Sequence, residues 1–498
     1  MKKISILSIS LLAFTFFAPA CKKKDKDDNT TLLAALLYLS NAIKVNSVTD
    51  LVNESNDDYA KNEYGLIEAS KLESWVTNWT ANKPSHISGK LIILQTDAAD
   101  RYEPGTKGSY LKADPTKGVY VYHLDDYQTG GTSNFRFNQT RDSGLIKNSV
   151  RYQANGAYVD EWLKAFGIDL NKDLVVFAVG TTTTLISGSA TGGTQGAYDT
   201  AANKGTYAGG VQDIARGVYW LRYWGADIKH LAILNGNLYK NFTNTSLLSN
   251  TRSTIANDNG GFSVKQLRVD NTALTLGLED IYEIAKSGLK ASLSGITNTQ
   301  FLVDARPTAQ FNGTVTTIGT AGAYFITTSW AFSGAPNAAA NPAQKFVLFE
   351  GGIKGAVDFP WTDLLGDSTT GFKFVSKDSL KTIFANKGYT SGKTVISQCR
   401  TNFEAQVNGF AALNILGYPT AFYDGSLVEW TSLSAAHPAS EFNKVPTSFK
   451  WRTDSDTVSR LLWYNGTVAD TTRTQAAEVD ATATTTKKFI QEDKAYKY

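Results

Sequence analysis

The stretch VISQCRTNFEA, residues 395–405, holds one of only two cysteines in a chain of 498 residues. Lys393-Thr-Val-Ile-Ser-Gln398 is a short β-rich run. From Ala405 onward apolar residues recur at helical spacing: Val407, Phe410, Ala411, Leu413, Ile415 and Leu416, with Gly417 and Pro419 as stop signals. Cys399 therefore belongs at the C-terminal end of a strand, on a loop that leads into a helix. In an open parallel sheet this is where ligands bind.

The flanking segments keep the same rhythm. FLVDAR (301–306) reads as a buried strand with a polar end, and VLFEGGIKGAVDFPW (347–361) as a glycine-bearing turn before another short strand. SKDSLKTIFANKGY (376–389) reads as a surface helix capped by Ser376, and TAFYDGSLVEW (420–430) as a last strand with an Asp-Gly turn. Strands alternating with helices predict an α/β fold with a mainly parallel sheet covered on both faces.

The first half repeats the order. Residues 158–180 parallel the helix-glycine-strand run before Cys399, residues 217–240 parallel the segment after it, and LIILQTD (91–97) parallels FLVDARP. Two similar domains follow. The position matching Cys399 falls near Val179 or Gly180, so the first copy carries no thiol.

The N-terminus carries an address. Lys2 and Lys3 precede an apolar run from Ile4 to Phe17, then Ala18-Pro19-Ala20-Cys21, which resembles the lipobox of a bacterial lipoprotein. Residues 1–20 are read as a signal peptide, Cys21 as the lipidation site, and 21–61 as a tether. An exported protein, anchored to a membrane by lipid on its periplasmic or surface side, is the expectation. Removing residues 1–20 takes away two lysines and no acid, so the formal charge falls from +3 to +1. That balance, with no long basic run, predicts no nucleic-acid partner.

With Cys21 acylated, Cys399 is left as a single thiol with no disulfide partner. His86, His123, His230 and His437 lie too far apart in sequence to suggest a metal site, and no cofactor is expected. The glycine-rich run 187–210 has no phosphate-loop spacing and reads as an insertion.

Residues 300–430 resemble a rhodanese domain. The resemblance rests on LVDARP with Arg306, GGIKGAVDFPW, Cys399-Arg400-Thr401 after a strand, and LGYP followed by YDGSLVEW. The whole resembles a tandem thiosulfate sulfurtransferase, with an inactive domain at 62–245, a linker at 246–275, a catalytic domain at 276–435 and a C-terminal extension with a disordered tail at 436–498. The resemblance implies two rhodanese-like domains and a cysteine that accepts a sulfane sulfur as a persulfide. The sulfur then passes to cyanide or a thiol.

Chemically, the nucleophile must be a thiolate, and backbone N–H groups at a helix N-terminus lower a thiol's pKa. Arg306 and Arg400 would face an anionic donor such as thiosulfate. Thr401, Asn402, Phe403 and Glu404 complete the loop that would bind it. Asn402 tolerates the positive φ a tight loop needs. Glu404 stands where the family often has Arg, Thr or Ser, and its charge would oppose a dianion if it points inward. A phosphatase loop of the Cys-x5-Arg kind would need arginine where Ala405 stands. The competing reading is a rhodanese-fold lipoprotein without turnover, acting as a surface binding or structural module.

Overall fold

Five strands of the first half, β1 (Gly65–Ile67), β2 (Leu91–Thr96), β3 (Val119–His123), β4 (Leu174–Val179) and β5 (Leu231–Asn237), lie side by side in the order β1-β5-β4-β2-β3, with every pairing parallel. The second half sets β6 (Thr275–Leu276), β7 (Gln300–Asp304), β8 (Val357–Asp358), β9 (Thr394–Gln398) and β10 (Thr420–Tyr423) in the order β6-β10-β9-β7-β8, again parallel throughout. Adding five to each label of the first order produces the second. The computed structural model describes residues 42–96, 110–127, 136–147, 150–180, 208–249, 251–253, 260–312, 349–433, 446, 448–464 and 478–498. The signal peptide, Cys21, most of the tether, the 187–207 part of the glycine-rich run and His437 lie outside them.

The helices are α1 (Ala69–Thr77), α2 (Gly156–Ala165), α3 (Gly210–Tyr223), α4 (Leu278–Lys286), α5 (Lys377–Asn386), α6 (Glu404–Phe410), α7 (Ser426–Trp430) and α8 (Lys488–Lys497). Strands β2, β4, β7 and β9 are buried at every residue, as a parallel strand covered on both faces must be. Successive side chains go to opposite faces. Leu91 and Ile93 share a core with Leu72 and Trp75 of α1, while Ile92 and Leu94 join Trp162 of α2 and Trp220 of α3. In the second sheet Leu302 and Ile396 meet Ile281 and Ile284 of α4, and Val303 and Val395 meet Leu380 of α5 and Val407 of α6.

One core runs between the sheets. It contains Phe177 and Trp220 of the first half together with Phe410 and Phe422 of the second, and Val45–Tyr498 forms a single body. Helix α3 packs on α6, and every residue of α3 except Gln212 is buried. The aromatic YWLRYWG segment, residues 219–225, is buried throughout. The approach is close enough to exclude side chains. A Cβ on Gly409 of α6 would lie 2.0 Å from the Phe422 ring, and one on Gly217 of α3 would lie 2.6 Å from Phe177.

Two expectations need correction. TAFYDGSLVEW is a strand only to Tyr423, after which Ser426–Trp430 turns helical over a buried Trp430. The end of the chain is not a disordered tail from residue 478 on: Glu478–Val479 pairs with Ile146–Lys147, and α8 docks on the first half. Asp493 of α8 takes two hydrogen bonds from Arg141 (2.8 and 2.9 Å) and one from Tyr223 (2.8 Å). Phe489 stacks on Tyr152 at 4.2 Å. The Thr/Ala-rich composition hid a short apolar anchor, Phe489-Ile490, that is buried on docking.

Candidate active site

Strand β9 ends at Gln398 and delivers Cys399 to the rim of the second sheet, fully buried. Residues 399–403 curl back so that α6 can begin at Glu404. The turn needs a left-handed residue, and Asn402 supplies it with φ of 61°. Pairing starts at Leu91–Leu174 in the first sheet and at Gln300–Thr394 in the second. Five residues on from Leu174 and Thr394 are Val179 and Cys399, so the first half presents valine where the second presents a thiol.

The groups that act on the Cys399 thiol are the backbone N–H groups of Thr401 and Ala405 and the carboxyl of Glu404. The expected low pKa is not what this geometry produces. Burial pushes the thiol up to about 12, the charges of Glu404 and Asp304 add to the rise, and the two amides oppose it. Glu404 is partly exposed at the mouth of the loop. Its own carboxyl is raised above the usual range by desolvation and by Asp304, while Arg400 and Arg306 work against the rise.

The arginines are engaged. Arg306, fully buried, forks onto Asp304 with contacts of 2.6 to 3.0 Å, and its Nη2 also reaches the carbonyl of Gly351 at 2.9 Å. Arg400, 4% exposed, donates to Oε1 of Gln310 at 2.6 Å. Thr401 is partly exposed, and Phe403 is buried beneath two guanidinium groups, Arg136 at 3.9 Å and Arg216 at 4.8 Å. The six loop residues and Arg306 thus converge on one rim.

Residues that sequence reading did not single out hold the loop in place. Nδ2 of Asn402 donates to Oδ1 of Asp424 at 2.6 Å, and Nη1 of Arg216, from α3, donates to the same oxygen at 3.0 Å and to the Asn402 carbonyl at 3.1 Å. Asp424 lies in the YDGSLVEW motif, which is a signal. Arg216 sits among apolar helix residues and offers none. Helix α7 adds two further ties: the N–H groups of Leu427 and Val428 donate to the carbonyls of Cys399 and Arg400, each at 3.2 Å. Among the described residues no group of three or more His, Cys, Asp or Glu is arranged to hold a metal, and no helix is long and apolar enough to cross a membrane.

No protein-family model matches the sequence. Among curated proteins the chain is 33% identical over 87 residues to one from Haloferax volcanii and 31% identical over 106 residues to one from Mycobacterium tuberculosis, both named "Putative thiosulfate sulfurtransferase". These stretches are 17% and 21% of this chain, and 29% and 37% of the relatives, so the chain spans well under half of their length. Among solved structures, SseA from Escherichia coli, described as a 3-mercaptopyruvate sulfotransferase with the rhodanese fold, overlaps 73% of this chain and 98% of its own at 15% identity and a TM-score of 0.42. The 3-mercaptopyruvate sulfurtransferase of Leishmania major overlaps 75% and 76% at 12% identity and a TM-score of 0.39. Overlaps that loose transfer no chemistry. Over about a fifth of its length the chain is thus similar to curated proteins named for thiosulfate sulfur transfer, and one strand order is wound twice, with Cys399 at the end of a strand of the second sheet.

Proposed function

We propose that this chain is a sulfurtransferase in which Cys399 takes a sulfane sulfur from thiosulfate or a related donor, carries it as a persulfide, and passes it to cyanide or a thiol. The observation that carries the reading is the seat of the sulfur: a thiol at the end of a parallel strand, met by the N–H groups of Thr401 and Ala405. Those two donors stabilise a thiolate before transfer and a persulfide anion after it. The charge need not be brought by a cofactor. Export and lipid anchoring through Cys21 belong to the same proposal and rest on residues 1–21.

A second reading has its own support. A thiol with no exposure and a pKa near 12 is the condition of an inert core cysteine, which favours a non-catalytic binding module. Sulfur transfer from thiosulfate to cyanide, measured on the purified protein beside Cys399→Ala, separates the two. Turnover with a sulfur adduct of about 32 Da, lost in the variant, supports the enzyme. A folded protein showing neither supports the module.

A further inference from the structure

Arg222, on α3, is a buried guanidinium with no carboxylate partner among the described residues. Its side chain is 4% exposed, its Nη1 donates to Oδ1 of Asn414 at 2.8 Å, and its Nε meets no acceptor. A charge kept out of water is costly unless a counter-charge or a full set of hydrogen bonds meets it. Arg141 and Arg216 are buried too, and each has an aspartate, Asp493 and Asp424. Arg222 has a neutral amide.

The guanidinium lines a cavity of about 10 Å³ between α3 and α6, room for one body the size of a water. Gln406 of α6 lines the same cavity. It is fully buried, and neither its Oε1 nor its Nε2 has a partner among the described residues. Asn414 belongs to a π-helical turn, Ala411–Ile415, that continues α6, and such turns gather at functional sites. The other walls are Tyr219, whose hydroxyl is bonded to Oγ1 of Thr275 at 2.6 Å, and apolar side chains that include Phe410 and Leu413. No acid is among them.

We infer that this cavity binds one small monovalent anion, a halide, between Nε of Arg222 and Nε2 of Gln406. Charge decides between an ion and a water. A water would satisfy the amide and leave the guanidinium uncompensated, whereas a halide accepts from both donors and carries the missing negative charge. Size decides among anions, because sulfate, phosphate and thiosulfate exceed the space of one water. Burial brings the Arg222 pKa down to about 10, against the pull of Asp227, so the group stays positive at neutral pH. The bound ion joins a helix of the half without a thiol to the helix that follows the Cys399 loop, and it stabilises the folded chain by mass action. The site stands whether or not Cys399 carries sulfur.

The test follows the melting temperature of the purified full protein as sodium bromide replaces sodium gluconate, whose anion is too large to enter, at fixed ionic strength. Wild type is expected to gain about 3 °C over a hundredfold rise in bromide, the scale of one saturating site. Gln406→Leu, which keeps the volume and removes the donor, and Arg222→Met, which keeps much of the stem and removes the charge, are expected to lose that gain. Their difference from wild type cancels the general effect of bromide on proteins. Crystals grown in bromide are expected to show its anomalous scattering between Arg222 and Gln406. A wild-type response equal to that of both folded variants overturns the inference. A lone water at the site, with no anomalous signal in bromide, overturns it as well, and this measurement decides the matter if the variants fail to fold.

Discussion

Arg216, on a helix of the half without a thiol, forms a buried ion pair of 3.0 Å with Asp424 of the half that has one. Its side chain is 1% exposed and that of Asp424 is fully buried. The same nitrogen bonds the carbonyl of Asn402, so the loop that follows Cys399 is held from outside its own sheet.

Removing the guanidinium strands a buried carboxylate. Arg216→Ala should lose about 3–5 kcal/mol of stability, the scale of a broken buried pair. Urea unfolding of wild type and variant reads the loss directly. The loosened loop should also let Cys399 react faster with iodoacetamide in the folded state.

Cys399 in wild type should alkylate slowly near neutral pH, because a thiol held near 12 is almost wholly protonated there. The rate should climb about tenfold per pH unit above neutrality, following the thiolate fraction. In Glu404→Gln one of the charges that raises the thiol is gone, so the whole profile should move to lower pH. Profiles that coincide in wild type and Glu404→Gln would contradict the assignment of Glu404 as a neighbour that raises the thiol.

Glu429 gives the fold a pH dependence of its own. Its carboxyl is fully buried, bonded by Tyr152 at 2.7 Å, and burial pushes its pKa up to about 8. The unfolded chain ionises it near 4.5, the ordinary value. The protonated form is therefore the one the fold prefers, and its contribution is complete below about 4.5 and is lost as pH rises towards 8. Melting temperature should fall across that window in wild type and fall less in Glu429→Gln.

Gly409→Ala places a methyl 2.0 Å from the Phe422 ring. Helix α6 must then lift from the sheet or the ring must leave its rotamer. A loss of about 1–3 kcal/mol, typical of overpacking, is the expected result in a thermal or urea melt.

Much of this architecture was legible because a parallel sheet writes itself as helix, glycine and apolar strand in fixed succession. The two runs that end at Val179 and at Gln398 could be equated by eye, and the strand registers equate them again. Asn402 was readable for a similar reason, since few residues accept a positive φ. What sequence does not write is the aim of a side chain. Glu404 could have faced water, where a helix start would favour it; its charge instead adds to the burial of Cys399, and the two together reverse the thiol's expected pKa. Arg216 was hidden because its partners, Asn402 and Asp424, are 186 and 208 residues away along the chain. The docking of α8 escaped notice because Phe489 and Ile490 make too short an apolar pattern to register.

The core that runs through α3 and α6 also bears on how the gene could be divided. A chain cut within residues 246–275 would leave Phe410, Leu413 and Phe422 facing water on one fragment and Val218 and Trp220 on the other. Neither piece would keep its core covered. The half without a thiol is a wall of the interior of the half that carries Cys399, and two halves of like strand order depend on each other for their cores.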